Sequence, residues 1–111
     1  MALKSPIGSE AAELIAQRFR ALADPTRLRV LDHLSSSGGA SVRELTEALE
    51  TSQQNVSKHL STLRAEGFVA RDRRGNSSIY RISDPGVLDL CERVCGGIEA
   101  QLAELEAALQ G

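Results

Sequence analysis

The sequence predicts a mainly α fold with one small β-hairpin, in the order α-α-α-α-β-β-α. Three observations carry this. Apolar residues recur at helical spacing through residues 9–67 and again over 85–109, with cap residues at the restarts. Between those stretches, after Gly67, the period drops from 3.6 to 2 for two short runs. Aromatic residues make up only 3% of the chain (Phe19, Phe68, Tyr80), so Leu, Val, Ile and Ala must build the core, and that suits packed helices. At 111 residues the chain is one domain with a modest core. It is expected to span 9–111, after a segment 1–8 that holds Pro6 and Gly8, shows no periodicity and reads as disordered.

From Ser9 to Ala23 the pattern is helical, with Leu14, Ile15, Phe19 and Leu22 on one broad stripe. Asp24-Pro25 is a restart signal: Asp caps, and Pro sits at the first helical position, where its missing N–H costs nothing. A second helix follows to about Ser35, with Leu28, Leu31 and Leu34 inward, and residues 35–41 (SSSGGAS) form a loop. Ser41-Val42-Arg43-Glu44 has the capping-box form, in which Ser41 and Glu44 satisfy each other's backbone donors. It opens a short third helix to about Leu49, with Val42, Leu45 and Leu49 inward.

The most informative stretch is Ser52 to Gly67. It reads as a helix begun by Thr51 or Ser52 and stopped by Gly67, with Val56, Leu60 and Leu63 forming an apolar stripe. The opposite side carries Gln54, Lys58 and Ser61, flanked by Asn55 and Ser57, and no acid appears until Glu66. A solvated amphipathic helix usually fills its outer face with Glu and Lys. Amides, hydroxyls and one lysine are instead groups that hydrogen-bond base edges and phosphates in a major groove. Two short helices, 41–49 and 52–67, joined by so tight a turn form a helix-turn-helix over 41–67.

After Gly67, residues 68–72 and 78–82 are strand-like, joined by Arg73-Arg74-Gly75-Asn76-Ser77, with Gly75-Asn76 as a tight turn. A hairpin can serve simply to cover a core. One whose tip carries two adjacent arginines, directly after a reading-type helix, is better explained as a wing (68–82) against DNA. Net charge is −2, but its distribution matters more than its sum. Residues 51–82 hold six basic and two acidic side chains, whereas residues 83–111 hold one basic and six acidic. Screening cuts off exposed charges beyond about 10 Å at 0.1 M salt, so a local basic patch can bind phosphate while the acidic tail lies away from it.

Ser83-Asp84-Pro85 repeats the cap-then-proline signal and opens a last helix over 85–109. Leu88, Cys91, Cys95, Ile98, Leu102, Leu105 and Leu109 follow one another at steps of three and four, a heptad seam. A seam of that length needs a partner, and dimerisation is its natural use. The expected dimer interface is Leu88, Cys91, Cys95, Ile98, Leu102 and Leu105. Gly96-Gly97 costs roughly 1 kcal/mol per residue of helix propensity and allows either a kink or a close backbone approach.

With these pieces in place the sequence resembles the ArsR/SmtB family of small winged helix-turn-helix repressors. The matching segments are LADPTRLRVLDHL at 22–34, VRELTEAL at 42–49, NVSKHLSTLRAEGFVARDRRGNSSIYRI at 55–82 and SDPGVLDLC at 83–91. The resemblance implies a homodimer joined through its first and last helices and an operator of imperfect dyad symmetry on double-stranded DNA. It places Ser52, Gln53, Gln54, Asn55, Ser57, Lys58 and His59 at the DNA, and Arg73, Arg74 and Asn76 in the wing. Gln54 and Asn55 are the expected base readers, since an amide can pair bidentately with adenine. Lys58 and the wing arginines suit phosphate or the minor groove.

Many such repressors respond to metals. The cysteine motif used near the reading unit is absent, since no cysteine precedes residue 91. A second ligand pattern on the last helix, D-x-H-x10-H-x-x-E, would fall on Asp89, Cys91, Leu102 and Leu105, and is at best half present. Cys91 and Cys95 remain, one turn apart. They could act as soft ligands for a transition metal or arsenite, or as redox-active thiols. They could equally pack as small hydrophobes within the seam, where an apolar setting dulls thiol reactivity. No cofactor is required. His33, near a helix end, and His59 lack a second ligand at useful spacing.

No apolar run approaches the roughly 18 residues that span a bilayer, and the N-terminus lacks a signal-peptide core, so a cytoplasmic protein without membrane contact is expected. Two cysteines are too few for a secreted disulfide framework. The alternative to a DNA-reading repressor is a winged-helix interaction module that dimerises without reading DNA. An enzyme is not expected: there is no Gly-rich phosphate loop, no HExxH, and no base at recognisable spacing from either cysteine.

Overall fold

A computed structural model of the chain describes residues 6–110. Its order is α1 (Ser9–Leu22), α2 (Pro25–Ser37), α3 (Val42–Leu49), α4 (Gln53–Ala65), β1 (Val69–Arg74), β2 (Ser77–Ile82) and α5 (Gly86–Gln110). The expected disorder of 1–8 falls outside the described residues for 1–5. Residues 6–8 are exposed and outside any helix or strand.

Each boundary follows from local chemistry. The Asp24 side chain accepts from the Arg27 N–H at 3.0 Å, capping α2 just before Pro25. That bond holds the Asp24 carboxyl below the usual carboxylate range. Ser41 and Glu44 form the expected capping box, at 3.1 and 3.0 Å. α2 runs on to Ser37, beyond the expected end near Ser35, because serines tolerate a last turn until Gly38 adopts the left-handed cap.

The core is a single cluster in which Val30, Leu31 and Leu34 of α2, Leu45 of α3, and Val56, Leu60 and Leu63 of α4 are essentially inaccessible. Leu28, expected inward, is half-exposed because the α2 stripe turns toward Val30 and Leu31. Leu14 and Phe19 of α1 are also largely exposed.

The two strands pair antiparallel from Val69↔Ile82 to Arg74↔Ser77 and are longer than expected. The connection shrinks to Gly75-Asn76. Only Gly75 has a positive φ (62°), which suits the first central position of a type II′ turn. Arg73 and Arg74 therefore belong to the ladder and not to the tip. Phe68, expected in the strand, is a buried residue ahead of it. β2 also pairs with the α2–α3 connection, through Tyr80 N–H to the Ala40 carbonyl (2.8 Å) and Ala40 N–H to the Tyr80 carbonyl (3.0 Å). A Cβ on Gly39 would stand 3.1 Å from Ile79 Cγ2, so a side chain there would push this junction apart.

α5 continues without interruption through Gly96-Gly97. Val87 is its one buried residue, and Leu88, Leu90 and Cys91 pack partly against the core. Leu88 and Cys91 thus divide their surface between the core and the seam. Ile98 is about half exposed, and Leu102, Leu105 and Leu109 leave more than half of their surface exposed.

Candidate nucleic-acid interface

α3 and α4 are separated by three residues, and the turn between them is held from both sides. Glu50 adopts a left-handed conformation (φ 54°), unusual for a residue with a Cβ. The Leu49 carbonyl beside it accepts from Arg29 of α2 at 3.4 Å. Ser52, the N-cap of α4, accepts from the Asn55 N–H at 3.1 Å. This occupies a lone pair and leaves the Ser52 hydroxyl proton free to donate.

With Val56, Leu60 and Leu63 committed to the core, α4 turns Gln53, Gln54, Ser57, Lys58 and Ser61 to solvent. Ser52 is exposed at its start. These residues share one continuous polar surface that contains no acid. Asn55 is half-buried, and its Nδ2 donates to Thr51 Oγ1 at 3.0 Å, so it braces the turn while Gln54 stands free.

His59 departs from its expected place. It is only 6% exposed, the one buried polar side chain among the described residues. The reason is periodicity: position 59 lies three residues after Val56 and four before Leu63, inside the apolar stripe. Its Nδ1 lies 3.0 Å from Arg27 Nη1 and 3.8 Å from Asp24 Oδ2. Arginine can only donate, so Nδ1 is the acceptor and the neutral ring carries its proton on Nε2. Burial pushes the imidazole below its ordinary pKa. The neighbouring Asp24 carboxylate opposes that shift, and the Arg27 and Lys58 charges reinforce it.

Arg27, near the start of α2, has no role expected from the sequence. Its guanidinium also donates through Nε to the Ala21 carbonyl and through Nη2 to the Arg20 carbonyl at 3.1 Å. One side chain of α2 thereby joins the end of α1 to α4. The signal that could have revealed it was the histidine inside the α4 stripe, which needed a buried donor or acceptor.

In the wing, successive residues point to opposite faces, so Arg73 and Arg74 straddle the ribbon. Neither forms an ion pair among the described residues. Arg81 instead binds Asp72 at 2.7 Å across the ladder and holds that carboxyl below its usual range. Asn76 is exposed at the turn.

Between α1, α2 and α5 lies an open apolar groove of about 660 Å³, lined among others by Phe19, Leu28, Leu88, Cys91, Val94 and Cys95. Both cysteines are free thiols. Cys91 is partly buried, and burial followed by the proximity of Cys95 raises its pKa. Cys95 is exposed, its Sγ 3.9 Å from Glu99 Oε1. Among the described residues no group of three or more His, Cys, Asp or Glu side chains is placed to hold a metal ion. The Asp89, Cys91, Leu102, Leu105 set does not fit a metal either, since two of its four positions are hydrocarbon. No helix among the described residues is long and apolar enough to cross a membrane.

The helix-turn-helix domain family matches residues 22–72, from the end of α1 through α4 into β1. The chain is 39% identical over 88 residues to the HTH-type transcriptional regulator NmtR of Mycobacterium tuberculosis, covering 79% of this chain and 72% of that protein. It is 34% identical to the arsenical resistance operon repressor of Bacillus subtilis, covering 78% and 84% of the two chains. The fold superposes with a TM-score of 0.74 on the homodimeric winged helix-turn-helix DNA-binding domain of Mb0332 from Mycobacterium bovis, at 27% identity, covering 89% and 91%. In extent of match, element order and wing, the chain belongs to the ArsR/SmtB family of winged helix-turn-helix, DNA-binding transcriptional regulators, and is not an enzyme.

Proposed function

We propose that the protein is a homodimeric repressor that reads an imperfectly palindromic operator with α4 and steadies itself on the flanking duplex with its wing. The observation that carries this is the outward face of α4, an acid-free surface of Gln53, Gln54, Ser57 and Lys58 on a helix whose other side is fixed in the core. Gln54 is the base reader: its amide is exposed and can pair with adenine. Asn55, already donating to Thr51, joins it in a supporting role. Ser52, Ser57, Lys58 and the wing residues Arg73, Arg74 and Asn76 bind sugar-phosphate and set the register. His59 acts from behind the reading face.

Dimerisation is supported by the apolar residues that one chain leaves uncovered: Phe19 on α1, 55% exposed, and Ile98, Leu102 and Leu105 on α5. Such a seam is costly to leave in water. The homodimeric state of Mb0332, a chain with the same fold, agrees. A two-fold dimer places its reading helices in successive major grooves and selects a dyad-symmetric site.

The effector, in this reading, acts at Cys91 and Cys95 and is a soft ligand, arsenite or a transition metal, or an oxidant. Relatives that regulate arsenic or arsenical resistance support the class. So does the placement of both thiols on the groove between α1, α2 and α5. One chain offers only two thiols one turn apart, so a complete soft-metal site takes further ligands from the second protomer.

Four outcomes test the reading. In fluorescence anisotropy with DNA from upstream of the protein's own gene, Gln54→Ala loses affinity for the specific duplex while scrambled duplex is bound as before. Equal losses on both would remove Gln54 from base reading. Replacing Arg73 and Arg74 together by Ala weakens all duplexes alike and flattens the dependence of log affinity on log salt by up to about two units. An unchanged slope would take the wing out of the interface. Leu102→Glu with Leu105→Glu yields a monomer in sedimentation that keeps its helical circular dichroism, since neither side chain belongs to the core; a persistent dimer would place the interface elsewhere. Arsenite, zinc or a mild oxidant releases wild type from the duplex and spares Cys91→Ser/Cys95→Ser, whereas release of both proteins would move the sensor off α5.

A further inference from the structure

His59 is a buried polar group on the proposed reading helix and does not line the apolar groove, so its place inside the stripe calls for a role. Its surroundings define one. Arg27 meets it from α2, and the same guanidinium holds the carbonyls of Arg20 and Ala21 at the end of α1. Asp24 approaches from the α1–α2 junction, with the oxygen that also caps α2. Lys58 is the charged neighbour on α4 itself. α1 brings carbonyls to the cluster, while Arg20 and Glu66 line a shallow depression beside Arg27. Among the described residues α3 and β1 bring no charge that acts on the ring.

We propose that His59 is an acid-sensitive positioning residue for α4: neutral, it accepts from Arg27 and seats the reading helix against the end of α1; protonated, it cannot accept, and α4 loses that seat. The chemistry is forced by the donor inventory. An imidazolium donates from both nitrogens, so Arg27 Nη1 and Nδ1–H would confront one another as two donors of like charge. The carboxylate beside Nδ1 is Asp24 Oδ2, 3.8 Å away and already capping α2, so the protonated ring competes with the cap. Burial and Arg27 depress the imidazole pKa in the seated state. The seated form therefore binds fewer protons than the unseated one. Seating is complete above the ordinary histidine range and is lost as pH falls below it. Acid then weakens DNA binding. That sign is opposite to the effect of a histidine at a phosphate, where protonation strengthens binding.

The inference rests on α4 being the DNA-reading element, and the test separates the two claims. In the free protein, side-chain nitrogen spectra of wild type followed from about pH 7.5 to about pH 5.5 should show the Arg27 Nε–H signal moving with the same midpoint as His59 titration. An Arg27 signal indifferent to His59 overturns the proposal without reference to DNA. In anisotropy with the upstream duplex at constant ionic strength, wild-type affinity should fall by about threefold to tenfold over the same range. His59→Asn places an amide oxygen near the Nδ1 position and does not titrate; it should keep the neutral-pH affinity and lose the acid dependence. Affinity that is flat or rises in acid for wild type, or an equal fall in the variant, also overturns the proposal. A coupled Arg27–His59 titration in a protein that binds no duplex at any pH would uphold the seat and reject the reading of DNA.

Discussion

The architecture depends on the commitment of one side of α4 to the core. Val56, Leu60 and Leu63 are shut away from water between α2, α3 and the base of the wing. Burying three such side chains contributes several kcal/mol, at roughly 1.5–3 kcal/mol each. A rotation of α4 by even one residue would turn about 100° of that stripe outward and bring Lys58 or Ser57 in. No arrangement of the polar residues could offset such a loss. The polar face is therefore positioned by hydrocarbon: what α4 shows to solvent is set by what it cannot afford to show. Ser52 at the cap and Arg29 on the Leu49 carbonyl then fix where the helix begins, and so how far Gln53 and Gln54 reach from the body.

That dependence explains how much was legible. Element order, the capping box at Ser41, the cap-proline start at Asp24 and the polar outward face of α4 were all visible, because they rest on local chemistry or on a periodicity only one helical phase can satisfy; at Asp84-Pro85 the last helix opens one residue later than expected, at Gly86. Less visible was what two elements do to one another. The hairpin lengthened to include Arg73 and Arg74 because ladder bonds and a two-residue turn win over the loop propensity of a charged run. Leu28 stays half-exposed while Val30, two residues on, is fully buried. His59 is the clearest case. Grouped with its polar neighbours by sequence, it belongs to the apolar stripe by geometry, and only a donor from another helix makes that place tolerable for an imidazole.

α5 shows the complementary situation. Its first turns are tied to the core through Val87, with Leu88, Leu90 and Cys91 beside it, while Leu102, Leu105 and Leu109 farther along stay more than half exposed. The heptad spacing was visible in the sequence, but the division of labour along it was not. Spacing reports which residues share a face, whereas the structure shows that Leu88 and Cys91 turn partly inward and Ile98, Leu102 and Leu105 do not. Gly96-Gly97 sits where this change occurs. Since α5 remains continuous there and a Cβ would meet nothing in the chain, the pair does not relieve crowding within one protomer.

The junction between α1 and α2 accounts for why arginine stands at position 27. Helix ends leave carbonyls with spare acceptor capacity, and those of Arg20, which takes only the Ala23 N–H at 3.2 Å from the backbone, and Ala21 lie at the end of α1. A lysine could satisfy one of them as a point charge. The planar guanidinium satisfies both and still aims Nη1 at His59, three acceptors on two other helices from one rigid fork. Asp24 completes the arrangement by capping the helix that carries Arg27. Phe19 and Ala23, flanking those carbonyls, line the groove that also holds Cys91 and Cys95. A shift of α1 against α2 at that groove cannot leave the Arg27 fork undisturbed, because its bonds are short and directional while the apolar contacts around it can slide. The end of α1 is thus mechanically continuous with α4, through side chains that lie behind its polar face.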